Sequence, residues 1–142
     1  MIRACPSCAT KNRVPAAHLA DEGRCGRCQA ALPPLAEPVP VDAAAFDAIV
    51  QDARVPVLID FWAEWCAPCR QAAPEAARTA EEMAGRAIVL KVDTEAQPEL
   101  ASRFKVSGIP SFVVMKDGQV VFQQPGFVRH PVMQDWLRRA GA

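Results

Sequence analysis

The sequence predicts an α/β chain, a central mixed sheet flanked by helices, preceded by a small ribbon-like metal module. Three observations carry this. Short apolar runs of strand length alternate with helical segments and end in a hairpin and a helix. Two Cys-x-x-Cys pairs, Cys5/Cys8 and Cys25/Cys28, occupy the first 30 residues, with sixteen residues between them. Four prolines, Pro33, Pro34, Pro38 and Pro40, then mark an extended connection. The expected division is a metal module over 1–30, a Pro-rich linker over 31–36 and the α/β domain over 37–142, with the domain folding and working without the module.

The elements of the second part read in order. Val39-Pro40-Val41 suits an edge strand, where proline is tolerated. Asp42 is placed as the N-cap of an Ala-rich helix whose apolar side carries Phe46, Ile49 and Val50. Val55–Phe61 is an apolar run of buried-strand length. Residues 67–84 read as a helix with Pro74 as a kink. Ala87–Val92 is a second buried strand, and Glu99–Phe104 a short helix behind Pro98. Ser111–Met115 and Gln119–Gln123 flank Lys116-Asp117-Gly118, a hairpin signal. A last amphipathic helix follows Pro131, with Val132, Met133, Trp136 and Leu137 as its apolar stripe.

Composition bounds the rest. Sixteen basic residues balance sixteen acidic ones, so no strongly charged partner is implied overall. The hydrophobic fraction of 51% includes 26 alanines and six cysteines, which leaves larger apolar side chains for one modest core and not for two. No stretch reaches the ~18 apolar residues of a spanning helix, and Met1-Ile2-Arg3-Ala4-Cys5 has no apolar leader, so a cytoplasmic, monomeric protein is expected. Residues 1–30 carry five basic side chains against two acidic ones, but no aromatic, which makes a poor case for nucleic acid.

Three Cys-x-x-Cys pairs in such a chain point to metal binding and redox chemistry rather than to a disulfide framework. Cys5, Cys8, Cys25 and Cys28 match a four-thiolate zinc pattern. Each Cys-x-x-Cys turn aims two sulfurs at one ion, and two turns complete a tetrahedron. About thirty residues hold too little core to fold alone, so one structural zinc would supply the folding energy. Two unrelated thiol pairs, or an iron site of the same geometry, are the alternatives. His18 lies between the pairs as a bystander.

The third pair, Cys66 and Cys69, follows a strand and opens a helix. A thiol there faces unpaired N–H groups and the positive end of the helix dipole, which stabilise its thiolate. Cys69 sits one turn on, placed to resolve a mixed disulfide. Pro68 fits the first turn because its missing N–H has no partner there. Trp65 beside Cys66 suits a docking surface, while Trp62 suits supporting packing. Asp60 interrupts an apolar strand. It is either a solvated strand-end residue or a buried carboxylate with a raised pKa, suited to accept a proton from Cys69. Lys91 either pairs with Asp60 or extends to the surface. His130 is given no catalytic role.

Residues 37–142 resemble thioredoxins. The run Val57-Leu58-Ile59-Asp60-Phe61-Trp62-Ala63-Glu64-Trp65-Cys66-Ala67-Pro68-Cys69 is close to that family's active-site strand and corner. Gly108-Ile109-Pro110-Ser111 resembles its cis-proline loop, and Lys91-Val92-Asp93 its Lys-bearing strand. Pro74, Asp117-Gly118 and Gly126 fall where the family has a helix kink, a hairpin turn and a glycine beside the site. With the four-cysteine module in front, the chain resembles the second type of bacterial thioredoxin. The resemblance implies a thioredoxin fold, a protein-disulfide reductase, Asp60 as the base, a cis Pro110 and a docking surface of Trp65, Ala67, Pro68, Ile109, Pro110 and Gly126. It also implies disulfide-containing clients and an external thioredoxin reductase, since no flavin or nicotinamide motif occurs here. Ala67 departs from the usual glycine, which leaves the redox potential open. A disulfide oxidase or isomerase on the same fold, and a holdase that captures clients through the zinc module, are the alternative functions.

Overall fold

The computed structural model describes residues 1–142. Two antiparallel hairpins come first. β1 (Ile2–Ala4) pairs with β2 (Lys11–Arg13), and β3 (Gly23–Arg24) pairs with β4 (Ala31–Leu32). A 3-10 turn, Ala16–His18, links them. β4 differs from the expected linker. Ala31 and Leu32 close the second hairpin, and Leu35 is buried in the main core. The prolines that read as an extended connection thus run along the protein surface rather than away from it.

The second part follows the expected order: β5 (Val39–Pro40), α1 (Ala43–Asp52), β6 (Val57–Trp62), α2 (Ala67–Glu82), β7 (Ile88–Asp93), α3 (Pro98–Arg103), β8 (Ser111–Lys116), β9 (Gln119–Pro125) and α4 (His130–Arg139). The sheet order is β5-β7-β6-β8-β9, with β5, β7 and β6 parallel and the β8–β9 hairpin antiparallel. Asp117 and Gly118 have φ of 53° and 75°, as a two-residue I′ turn requires, and glycine supplies the second at no steric cost. Asp42 caps α1 by accepting the Ala45 N–H at 2.8 Å. No helix is long and apolar enough to cross a membrane.

Strand alternation sorts the core into two layers. Val57, Ile59 and Phe61 of β6, with Ile88, Leu90 and Val92 of β7, face Phe46, Ile49 and Val50 of α1 and Leu100 of α3. Leu58, Val89, Phe112 and Val114 face the opposite way, onto Ala72, Ala76 and Ala80 of α2 and Met133, Trp136 and Leu137 of α4. The alanines recur every fourth residue, so α2 lays a small-residue stripe close against the sheet. Asp60 and Lys91 share the parity of Leu58 and Val89, and the pleat therefore aims them toward α2, the helix that carries Cys69.

One further expectation changes. Val132 is not part of the α4 stripe: it is 42% exposed. Gln134 is buried instead, and its Nε2 donates to Glu82 Oε1 at 3.0 Å, a polar contact with α2 beside the apolar face of Met133, Trp136 and Leu137. The two parts of the chain also share one core. Leu19 is 0% exposed and belongs to the cluster of Leu35, Val41 and Phe46, with Val14, Ala16 and Ala20 packed around it. Leu19 thus ties the segment between the two hairpins to the core of the α/β domain.

Candidate redox site and metal centre

The third cysteine pair sits at the β6–α2 corner. Cys66 is the N-cap of α2, and its Sγ accepts the Cys69 N–H at 3.2 Å. A free N–H at a helix start thus points at this sulfur, which favours the thiolate form. Cys66 and Cys69 are joined as a disulfide, with a Cα–Cα distance of 5.2 Å. The Cys66 Sγ lies 3.7 Å from the carbonyl oxygen of Ile109. The Ile109–Pro110 peptide is cis, and the Pro110 carbonyl accepts the N–H of Gly126 at 2.7 Å. Gly126 holds φ 97°, a conformation open to glycine at no cost. Ala67 and Pro68 are exposed beside the disulfide. The structure therefore sets the Ile109 carbonyl against the Cys66 sulfur, with Pro110 and Gly126 joined to it along the cis-proline loop and Trp65, Ala67 and Pro68 adjoining the two cysteines in the chain.

Asp60 is 1% exposed and its Oδ1 has no hydrogen-bond partner. With Trp62, Cys69, Arg70, Ala73 and Lys91 it lines a recess of about 190 Å³ beneath the disulfide. Burial drives its pKa up to about 7, against the opposing pull of the Lys91 charge. The solvated strand-end alternative does not hold for Asp60. Lys91 stands opposite it in the parallel β6–β7 register, yet forms no ion pair with it. Its Nζ lies 4.6 Å from the Trp62 ring centroid, a cation–π contact. The Trp62 indole N–H is also buried without a partner, so two residues that line this recess each carry an unsatisfied polar atom. His130 lies apart from the sulfurs, and its N–H and Nδ1 both meet Glu75 Oε1, at 3.0 and 3.1 Å.

The other four cysteines converge at the tips of the two hairpins. All four Sγ atoms lie within 4.8 Å of one another, and the Cys5–Cys28 and Cys8–Cys25 pairs are 3.6 Å apart. A tetrahedron with metal–sulfur bonds of ~2.3 Å has edges of about 3.8 Å, so the cluster has the size of a four-thiolate zinc site. The two knuckles share one geometry. The residues after Cys8 and Cys28, Ala9 and Gln29, both take positive φ, and their N–H groups return to the carbonyls of Cys5 and Cys25. The Ser7 and Arg27 N–H groups point at the Cys5 and Cys25 sulfurs at 3.3 and 3.4 Å. The N–H groups of Cys28 and Arg27 hold the Cys25 thiol down, to about 6, whereas Cys28, against the pull of the Ala30 N–H, is pushed up to about 11 by burial and the neighbouring thiols. His18 is outside the cluster and meets Asp21 at 2.7 Å.

Three residues with a place in these sites escaped the sequence reading. Glu95 accepts the Trp65 indole N–H at 2.9 Å. Arg70 lines the recess and donates to the Glu64 carbonyl at 2.7 Å. Asn12 donates to Cys25 Sγ at 3.6 Å and accepts the Gly26 N–H at 3.0 Å, which ties the two hairpins together beside the sulfurs. None of the three stands in a local pattern that separates it from an ordinary surface polar residue.

Comparison with known proteins agrees with this geometry. A family model described as Thioredoxin matches residues 37–139, and one described as Thioredoxin 2, N-terminal, matches residues 4–30. The chain is 42% identical over 137 residues to Thioredoxin C-3 of Corynebacterium nephridii, covering 96% of this chain and 93% of that one. It is 38% identical over 98 residues to Thioredoxin 1 of Chlorobaculum tepidum, covering 69% of this chain and 97% of that one. Among solved structures, a mutant thioredoxin from Halobacterium salinarum superposes with a TM-score of 0.71 at 30% identity, covering 76% of this chain and 94% of that one. The chain therefore belongs to the thioredoxin family of thiol–disulfide oxidoreductases and carries the N-terminal zinc ribbon of its second type.

Proposed function

We propose that the protein reduces the disulfides of client proteins, with Cys66 as attacking thiol, Cys69 as resolving thiol and Asp60 as the base. The observation that carries this is the layering of the site. One sulfur caps α2 under an open surface, and the other lies over a recess that holds a buried, unpartnered carboxylate.

In the reduced protein the Cys66 thiolate attacks one sulfur of a client disulfide. That S–S bond breaks, a Cys66–client bond forms, and the first client thiolate leaves. Asp60 accepts the proton of Cys69. With a pKa of about 7, roughly half of the carboxyl is ionised at neutral pH, as a base working there needs. The Cys69 thiolate then attacks Cys66, breaks the mixed disulfide and releases the second client thiolate. Two electrons pass from protein to client, and the chain ends with the Cys66–Cys69 bond. Lys91 lowers the cost of ionising Asp60. Ile109, Pro110 and Gly126 present backbone to an extended client segment, while Trp65, Ala67 and Pro68 give it an exposed surface.

Cys5, Cys8, Cys25 and Cys28 hold one structural zinc. When bound, the ion would offset two of the four thiolate charges and fix the two hairpins. An external thioredoxin reductase returns the pair to the dithiol state. The protein works as a monomer in a reducing, cytoplasmic setting. The test is insulin disulfide reduction by the wild type and by Cys66→Ser, with zinc content measured in parallel. Turnover is expected for the wild type only, because an alcohol does not replace the thiolate nucleophile. Appreciable turnover by Cys66→Ser contradicts the assignment.

A further inference from the structure

Two exposed aromatic side chains flank the site on opposite sides of the cis-proline loop, and each is tied to a charge of opposite sign. On the Gly108–Ile109 side stands Trp65, 67% exposed, with its indole N–H on the Glu95 carboxylate at 2.9 Å. Trp65, Thr94, Val106, Gly108 and Ile109 line a groove of about 250 Å³ there. On the Pro110 side the Gly126 N–H meets the Pro110 carbonyl at 2.7 Å. The next residue, Phe127, is 38% exposed, and the Arg129 guanidinium lies 5.9 Å from its ring centroid. Glu95 and Arg129 are both exposed, and neither enters an ion pair within the protein.

Exposed aromatics beside a reactive disulfide offer a client apolar contact. Their charges make that contact directional. We take the client segment as antiparallel to Ile109, which puts the residues before its cysteine near Pro110 and those after it near Gly108. Side chains two positions either side of the cysteine share its face. We propose that this surface selects extended client segments by charge order, favouring an acidic residue two before the reactive cysteine, against Phe127 and Arg129, and a basic residue two after it, against Trp65 and Glu95. The reversed order sets like charge against like at both ends. Exposed pairs are individually weak, so two pairs changed from attraction to repulsion amount to about three- to tenfold in rate.

This inference rests on the dithiol-exchange reading above. The test uses the reduced full-length protein and two peptides of one composition, centred on Glu-x-Cys-x-Lys and Lys-x-Cys-x-Glu. Each cysteine is held in a mixed disulfide with thionitrobenzoate. Attack by Cys66 on the peptide sulfur releases the chromophore, and Cys69 then releases the peptide thiol, so each turnover oxidises one protein dithiol. The Glu-first peptide is expected to react about three- to tenfold faster at low ionic strength, with the ratio shrinking toward one as salt screens the charges. Arg129→Glu makes both ends acidic and should bring the ratio close to one, and Arg129→Gln should fall between. Equal rates in the wild type, the opposite preference, or a ratio untouched by both substitutions overturns the inference. Wild type is also reacted with the uncharged 2,2′-dipyridyl disulfide. Failure to react there rejects the dithiol-exchange reading itself, whereas a normal reaction beside equal peptide rates rejects only the charge selection.

Discussion

The Leu35 N–H donates to the Leu19 carbonyl at 2.9 Å, and both side chains end in the apolar cluster that covers α1. Leu19 belongs to the segment between the two cysteine hairpins, so the ribbon and the sheet are joined through one core. Leu19→Ala removes fully buried methyl groups at this joint, and its cost should be about 3 kcal/mol for the whole chain. Urea unfolding of the oxidised protein measures it. A change below about 0.5 kcal/mol, the range of ordinary surface substitutions, contradicts a shared core.

Metal removal should act through the same joint. The full chain is expected to bind one zinc, and Cys25→Ser to lose it. Without the ion, the two hairpins keep only Cys5, Cys25, Ala30 and Leu32 as an apolar cluster of their own, too little to hold them. Their amides should lose hydrogen-exchange protection. The urea midpoint of the sheet should also fall, because a loosened ribbon no longer holds Leu19 in place. A metal-free protein whose hairpin amides stay protected contradicts the structural role of zinc.

Asp60 gives a signed pH dependence. Its folded pKa, about 7, lies above the ordinary carboxylate value, so the native state binds its proton more tightly than the unfolded chain. Its contribution to stability is whole below about pH 4, declines as pH rises to about 7 and stays lost above that. The full difference is roughly 4 kcal/mol as an upper bound. Asp60→Asn should therefore be more stable than wild type at pH 8, by about 2 kcal/mol, and flatter across this window. It should also slow release of the mixed disulfide by roughly tenfold or more at pH 7, since Cys69 loses its base. Unchanged release rates across pH 6–9 contradict the base role.

The element order, the hairpin turn, the Cys66–Cys69 corner and the four-cysteine pattern were all legible, because each is written in local spacing. Val57 to Phe61 alternates between two packed faces, and Asp117-Gly118 demands the backbone that a tight turn supplies. Features set by tertiary partners were not legible. Prolines 33 to 40 read as an open connection, and only the pairing of Ala31–Leu32 with β3 and the burial of Leu35 against Leu19 show otherwise. Gln134 is buried at the α4 interface, bonded to Glu82 of α2, while Val132 is exposed, and neither is marked by local spacing. Lys91 reaches the Trp62 ring instead of Asp60, and strand register fixes that the two are neighbours without fixing which partner the ammonium takes.

The central claim is that Cys66 attacks clients and Cys69 releases them. Intact-mass spectrometry of Cys69→Ser, reduced and then mixed with a disulfide-bonded client, tests it most directly. The substitution leaves the Cys66 thiolate at the start of α2 and removes the only thiol placed to resolve the bond. A stable one-to-one adduct that peptide mapping locates on Cys66, and that a small thiol reverses, is the expected result. No adduct, or an adduct carried by Cys5, Cys8, Cys25 or Cys28 instead, contradicts the account.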